Sequence, residues 1–450
     1  MGKYFGTDGI RGVANTELSV NLAFKAGCAA AVVLCKNLGR RAKFFIGKDT
    51  RISSDMLECA LAAGISSMGA DVGLLGYMPT PAVAYLTVNE GADAGIVISA
   101  SHNPMEFNGI KIFNAEGYKL ADEIEAEIEA LIDDEAFVPT ATGADVGRVE
   151  RLDDLAHKYV DYLASTIQGD LTGLKILVDC ANGAAYNTAG ELFSKVADNV
   201  RIVFNEPDGT NINRNCGSTK LNTLRELVKA DNFDVGVAFD GDADRCLIVD
   251  ERGEVVDGDM IMAICAKELK AQGKLPRDTF VATVLSNMGL DKYAEAKGMK
   301  VAHSAVGDRN VLEMMRREGY VLGGEQSGHV IFLNHSTTGD GELCALQFLS
   351  IVKNSGKKVS ELTGDIEQFP QIMINVKVEN HLKEAVMSHE AVKCAIDQVE
   401  AELDGMGRVL LRPSGTEPMV RVMVEGRDSA RVNALCASVA NTIEKVLTIL

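Results

Sequence analysis

Short apolar, β-branched runs alternating with helical stretches constrain this chain most. In the first third, strands are expected over residues 44–47, 72–75 and 95–99, with helices over 22–38 and 56–68 and around Val83. Such βα alternation predicts a mostly parallel sheet covered by helices. An amphipathic helix over 123–132 closes this part. Residues 134–148, acidic and then rich in Ala, Thr and Gly, read as a linker or surface loop. The alternation resumes with strands over 175–179, 200–204 and 234–239 and helices from Ala184 and over 221–230. It continues with strands over 279–284 and 320–322 and helices over 260–269 and 341–351. The last part differs. An alternating strand over 372–378, a helix over 391–403, strands over 407–411 and 419–424 and a terminal helix striped by Val432, Leu435, Cys436, Val439 and Ile443 predict a small α+β domain. A chain of 450 residues is too long for one core, so two to four domains are expected. No fixed-period repeat is present in the sequence.

Ligands of open α/β sheets bind where strands end, and here several strands end in polar, glycine-containing loops. The strand over 95–99 runs into Ser101-His102-Asn103-Pro104, with Lys111 in the next apolar stretch. This suits a serine nucleophile or phosphoryl carrier with bases nearby; a plain Ser/Asn/Pro turn is the alternative. The strand over 234–239 delivers Asp240-Gly-Asp-Ala-Asp-Arg245. In extended backbone, carboxylates at alternate positions point the same way, and they repel one another unless a cation intervenes. Three hard oxygen ligands suit Mg²⁺ better than zinc, and Arg245 adds a phosphate-directed cation. An EF-hand is excluded because no helix leads into Asp240. The strand over 320–322 feeds Gly323-Gly-Glu-Gln-Ser-Gly-His329, whose carboxylate, amide and hydroxyl could read sugar hydroxyls or an amine. Arg412, Ser414, Gly415 and Thr416 offer a phosphate cradle. Residues 5–12 form a glycine-punctuated loop carrying Arg11, a further candidate anion partner.

Charge and cysteine usage narrow the class. Lys plus Arg number 45 against 64 Asp plus Glu, a net charge of −19 that argues against nucleic-acid and anionic-membrane binding. The 10 cysteines are scattered, many in apolar runs, as reduced core residues rather than a disulfide framework or zinc site. The apolar run over 26–35 is too short for a bilayer, and residues 1–5 lack a signal-peptide core, so a cytoplasmic location is expected.

Together these stretches resemble the α-D-phosphohexomutases over essentially the whole chain, and most of all their bacterial phosphoglucosamine-mutase branch. The likeness rests on Phe5-Gly-Thr-Asp-Gly-Ile-Arg-Gly12, Ile98-Ser-Ala-Ser-His-Asn-Pro104, Asp208-Gly-Thr-Asn-Ile-Asn213 with Cys216-Gly-Ser218, Asp240–Arg245, Gly323–His329 and Arg412-Pro-Ser-Gly-Thr-Glu-Pro418, in the family's order. The resemblance implies four domains around a central cleft: three α/β mixed-sheet domains over 1–152, 153–256 and 257–368, and a smaller α+β domain over 369–450. It implies interconversion of glucosamine 6-phosphate and glucosamine 1-phosphate for amino-sugar nucleotide and cell-wall synthesis, through phosphorylated Ser101 and a glucosamine 1,6-bisphosphate. Ser101, Asp240, Asp242 and Asp244 would hold Mg²⁺. His102, Lys111, Arg11 and Arg245 would serve catalysis. Glu325, Ser327 and His329 would bind the sugar, and Arg412, Ser414, Gly415 and Thr416 the phosphate that is not reacting. A homodimer is common in such enzymes. A phosphomannomutase/phosphoglucomutase would use the same machinery on a neutral hexose. A non-catalytic sugar-phosphate sensor would not need Ser101 together with three aspartates.

Overall fold

The computed structural model describes residues 2–6, 8–36, 38–414 and 417–450. It divides into two compact units, Met1–Leu285 with Gly298–Asp365, and Ser286–Lys297 with Ile366–Leu450. The first unit contains three mixed sheets.

The first sheet has the order Phe5–Gly6, Gly9–Val13, Phe107–Asn114, Ala94–Ile98, Lys43–Lys48, Asp71–Tyr77, Val149–Arg151. Lys43–Lys48 pairs in parallel with both Asp71–Tyr77 and Ala94–Ile98, as βα alternation requires. Two differences from expectation bear on the site. Residues 5–13 are mainly a hairpin, not a loop: Phe5 pairs with Ile10 and Gly6 with Gly9, and the second strand joins the sheet by pairing Ile10 with Ile110 and Arg11 with Gly109. The apolar stretch after the serine is a buried strand antiparallel to Ala94–Ile98. After the irregular 134–148 region, Val149–Arg151 adds a parallel edge strand. Helices Val20–Leu34 and Ile52–Ser67 cover the sheet through Ala26, Ala29, Ala30, Leu57 and Leu61 against Phe44 and Ile46. They pack closely because Gly27 lies on the seam, where a Cβ would sit 2.7 Å from the Leu61 carbonyl oxygen.

The second sheet runs Val255–Val256, Cys246–Asp250, Val235–Phe239, Ile176–Asp179, Val200–Val203. The third runs Lys300–Ser304, Thr279–Thr283, Leu322–Gly324, Val330–Phe332. Both contain one scheme also found in the first: two parallel strands, a third parallel strand, then its antiparallel partner. That partner is Phe107–Asn114, Cys246–Asp250 and Val330–Phe332 in turn. The serine, aspartate and glutamate motifs all lie in the connection between the third strand and this partner. The architecture therefore repeats where the sequence does not.

In the second unit, Gln371–Lys377, Met419–Gly426 and Gly407–Pro413 form an antiparallel sheet in that order. Helices Glu390–Leu403 and Ser429–Leu447 cover it through Val399, Leu403, Val432, Val439 and Ile443. Helix Met288–Ala296, from the third α/β stretch, belongs to this unit: the Met288 amide donates to Glu425 at 2.8 Å and Asn287 donates to the Phe369 carbonyl at 2.8 Å.

Candidate active site

Strand Ala94–Ile98 is buried throughout and leaves Ser101 in a left-handed turn, φ 51°. A β-carbon disfavours that region, so surrounding contacts must hold it. The Ser101 amide donates to Ser99 Oγ at 2.9 Å, and Ser99 Oγ donates to Asp49 Oδ2 at 2.6 Å. The Ser101 hydroxyl donates to Asp240 Oδ2 at 2.5 Å. This approach requires glycine at 241, where a Cβ would stand 2.5 Å from the Ser101 carbonyl oxygen.

Asp240, Asp242 and Asp244 are buried, with carboxylate oxygens lying within 4.8 Å of one another. Asp242 Oδ2 accepts from Thr80 Oγ1 at 2.6 Å and from Lys111 Nζ at 2.8 Å; Lys111 also reaches Asp244 Oδ2 at 3.1 Å. Among the described residues, Asp242 Oδ1 and Asp244 Oδ1 accept no hydrogen bond, although His329 Nδ1 stands 3.7 Å from Asp244 Oδ1. Two such buried oxygens, in a set of three carboxylates, fit a hard divalent cation. Asp240 is held well above the usual carboxylate range, by burial first and then by the charges of Asp244 and Asp242. Burial also opposes charge on Asp244, but Lys111, His329 and Arg245 hold its carboxyl well below that range.

Lys111 is 1% exposed, and its ammonium touches Asp242, Asp244 and, at 3.3 Å, Asp8. Burial disfavours its charge, yet these carboxylates hold the proton well above the ordinary lysine value. His102 Nδ1 lies 3.4 Å from Ser101 Oγ and 3.1 Å from Arg245 Nη1. Its pKa is pushed down to about 4, by burial and then by Arg245 and Arg11, so the ring is neutral at neutral pH. A guanidinium can only donate, so Nδ1 accepts from Arg245. Arg11 is paired with Asp8.

Glu325 and Ser327 occupy the connection between Leu322–Gly324 and Val330–Phe332. Glu325 Oε1 accepts from the Gly307 amide at 3.0 Å, and Ser327 Oγ donates to Oε2 at 3.3 Å. His329 is placed differently from its neighbours in the motif. It is 3% exposed, accepts from the Gly339 amide at 3.1 Å, and stands 3.7 Å from both Asp244 and Asp308. Its ring therefore faces the acidic cluster. In the second unit, Arg412 lies in strand Gly407–Pro413 and Ser414 is buried. Lys383 Nζ pins the loop by donating to the Ser414 and Glu417 carbonyls at 2.6 and 2.7 Å. Gly415 and Thr416 lie outside the described residues.

Several neighbours of the cluster were not legible in the sequence. Thr80 reaches Asp242 from a helix start far away in the chain, and Asp8 joins Lys111 to Lys119, which pairs with Asp308. Asp49, Arg51 and Asn213 hold the serine turn. Asp8 and Asn213 lie in stretches that carried the family resemblance; the others had no local signal.

Comparison with known proteins agrees with this geometry. Four models of the phosphoglucomutase/phosphomannomutase family match in order: alpha/beta/alpha domain I over residues 2–139, domain II over 157–253, domain III over 257–369 and the C-terminal domain over 373–442. The chain is 52% identical over 446 residues to a phosphoglucosamine mutase of Clostridium botulinum, with 99% of each chain covered. It is 52% identical over 448 residues to that of Acetivibrio thermocellus, covering 99% of this chain and 100% of the relative. Among solved structures, a phosphoglucomutase/phosphomannomutase family protein from Burkholderia thailandensis superimposes with TM-score 0.81 at 24% identity, covering 99% of this chain and 98% of that one. The Aspergillus fumigatus N-acetylphosphoglucosamine mutase, solved with GlcNAc-6P and magnesium, superimposes with TM-score 0.71 at 18% identity, covering 98% and 95%. The match to all four domain models and the 52% identity across full length place the chain in the phosphoglucomutase/phosphomannomutase family, the α-D-phosphohexomutases.

Proposed function

We propose that the protein interconverts glucosamine 6-phosphate and glucosamine 1-phosphate, an isomerisation run as phosphoryl transfer through Ser101. The carrying observation is a serine hydroxyl in a left-handed turn, bonded to one member of a buried acidic triad whose other members each keep an oxygen that accepts no hydrogen bond among the described residues. The choice of amino sugar is supported by the relatives, which are phosphoglucosamine mutases at 52% identity over the full chain.

In the resting enzyme Ser101 carries the phosphoryl group. The Ser101 Oγ–P bond breaks as a sugar hydroxyl oxygen bonds to phosphorus, and the hydroxyl proton leaves to a base. The product is glucosamine 1,6-bisphosphate. That species turns over, and its other phosphoryl group returns to Ser101, so the enzyme ends phosphorylated as it began. Asp240, Asp242, Asp244 and a phosphoserine oxygen would hold Mg²⁺, which when bound neutralises charge building on the phosphoryl oxygens. Arg11, Arg245 and Lys111 supply fixed positive charge around the same group. Lys111 is already protonated, so it acts as an acid before it can act as a base; His102 is neutral and adjoins the hydroxyl. Glu325 and Ser327 would read the sugar. Arg412 and Ser414, with Gly415 and Thr416, would grip the other phosphate.

The test has two arms. Intact mass and peptide mapping should find one phosphate on Ser101, and Ser101→Ala should lose both the phosphate and nearly all turnover. With catalytic bisphosphate supplied, kcat/KM should be highest for glucosamine 1-phosphate. Equal or higher efficiency on mannose 1-phosphate would assign a hexose substrate instead.

A further inference from the structure

The serine turn is held by a device that the transfer chemistry alone does not require. Arg51 Nη2 donates to the carbonyl oxygens of both Ser101, at 3.0 Å, and Asn103, at 2.6 Å. Asn213 Nδ2 donates to the same two oxygens, at 2.8 and 3.1 Å. Two donors shared across two carbonyls define one arrangement of residues 101–103, which carry the candidate phosphoryl acceptor and its neighbouring imidazole. The ring closes on the amide side. Arg51, 1% exposed, pairs with Asp49, whose Oδ2 accepts from Ser99 Oγ at 2.6 Å; Ser99 Oγ in turn accepts the Ser101 amide at 2.9 Å. Both peptide groups of the left-handed serine are thus fixed.

The two donors come from different places. Arg51 follows strand Lys43–Lys48 of the first sheet. Asn213 lies in the 208–218 loop of the second α/β stretch, where its own amide donates to the Ala181 carbonyl at 2.9 Å. That second stretch also presents Asp240, Asp242 and Asp244. Asn213 therefore registers the serine against the triad across two separate sheets, a task that neither sheet can perform alone.

We propose that Arg51 and Asn213 are positioning residues, a clamp that sets the Ser101 oxygen relative to the acidic triad for transfer. The inference rests on Ser101 being the phosphoryl carrier. Asn213→Gly is the informative variant. Asn213 has φ 57° and is partly exposed, and glycine adopts that backbone freely, so the clamp is opened without backbone strain. A displaced reacting atom lowers turnover more than binding. Asn213→Gly should therefore lower kcat roughly ten- to hundredfold, with KM for the phosphosugar unchanged and the melting temperature within about 2 °C of the parent. Arg51→Lys, which keeps the charge beside Asp49 but not the fork, should show the same split. A kcat within twofold of the parent overturns the clamp, and so does a loss of activity that tracks a lowered melting temperature. Phosphate occupancy of Ser101 in the parent preparation separates the two claims. If Ser101 carries phosphate and Asn213→Gly is fully active, the clamp fails; if the parent carries none on Ser101, the phosphoserine reading fails first.

Discussion

Asp242→Asn should have different consequences with and without a divalent cation. Asp242 Oδ2 serves Thr80 and Lys111, while Oδ1 is buried and accepts no hydrogen bond among the described residues. Asparagine can keep its oxygen on Thr80 and Lys111 and place its amide where Oδ1 stood. In metal-free protein the change relieves Asp240, which the Asp242 charge raises, but it also takes from the buried Lys111 ammonium a carboxylate that holds its proton. The two effects oppose each other, so stability in chelator should change little. With Mg²⁺ the loss is one-sided. Loss of a supporting group around a metal costs about ten- to hundredfold in affinity, and loss of a direct ligand should reach the upper figure. At a concentration one hundred times the parent dissociation constant, the parent gains about 2.7 kcal/mol. A hundredfold weaker variant gains only about 0.4 kcal/mol from the same ion. At roughly 1–2 °C per kcal/mol for a unit of this size, the parent should melt about 2–5 °C further above its chelated form than the variant does. Calorimetry in chelator and in a Mg²⁺ series reads both values. Equal Mg²⁺ shifts in parent and variant would refute the assignment, and turnover of the variant in excess chelator would refute it independently.

Three further outcomes follow from the same geometry. Asp340, buried and bonded to Tyr159 at 2.9 Å, has its pKa raised to about 7, chiefly by burial. A raised carboxyl stabilises the fold below its unfolded pKa, and that contribution is lost as pH rises through about 7. Asp340→Asn should therefore flatten the fall in stability between about pH 4 and 7, a slope of up to about 1.4 kcal/mol per pH unit for one proton, read by denaturant titration; an unchanged slope would exclude Asp340 as its source. Glu325→Gln should narrow the preference for glucosamine over glucose phosphate by roughly five- to thirtyfold, since a charge-assisted bond to an ammonium is about 1–2 kcal/mol better than one to a hydroxyl. That variant should leave Ser101 phosphorylation intact, and kcat/KM ratios on the two sugars measure the effect.

Much of the fold could be read from pattern. Apolar runs rich in aromatic or β-branched residues, such as Phe44–Phe45–Ile46 and Ile96–Val97–Ile98, become buried strands because burial on both faces asks for little else. The striped terminal helix and the alternating strand near Ile372 were equally legible, since period alone separates them. The triad announced itself through like charge: three carboxylates after a buried strand call for a cation wherever the strand ends. Residues 5–12 defeat the same kind of reading. Gly6, Gly9 and Gly12 look like punctuation locally, whereas Gly6 and Gly9 face each other across a hairpin and Gly12 pairs with Asn108 in a strand distant in sequence.

What the sequence determined by itself, then, was element type, the identity of the charged loops and the family, because each is a property of neighbouring residues or of motifs in order. Only the tertiary structure decided which side chains from distant segments share an atom. Thr80 and Lys111 meet on one oxygen of Asp242, Arg51 and Asn213 on the Ser101 carbonyl, and His329 turns inward to the acidic cluster while Ser327 stays exposed. These contacts join residues up to 162 positions apart. They arise because three dissimilar stretches fold to one strand scheme and each presents the same connection, a relation carried by backbone pairing and invisible in side-chain identity.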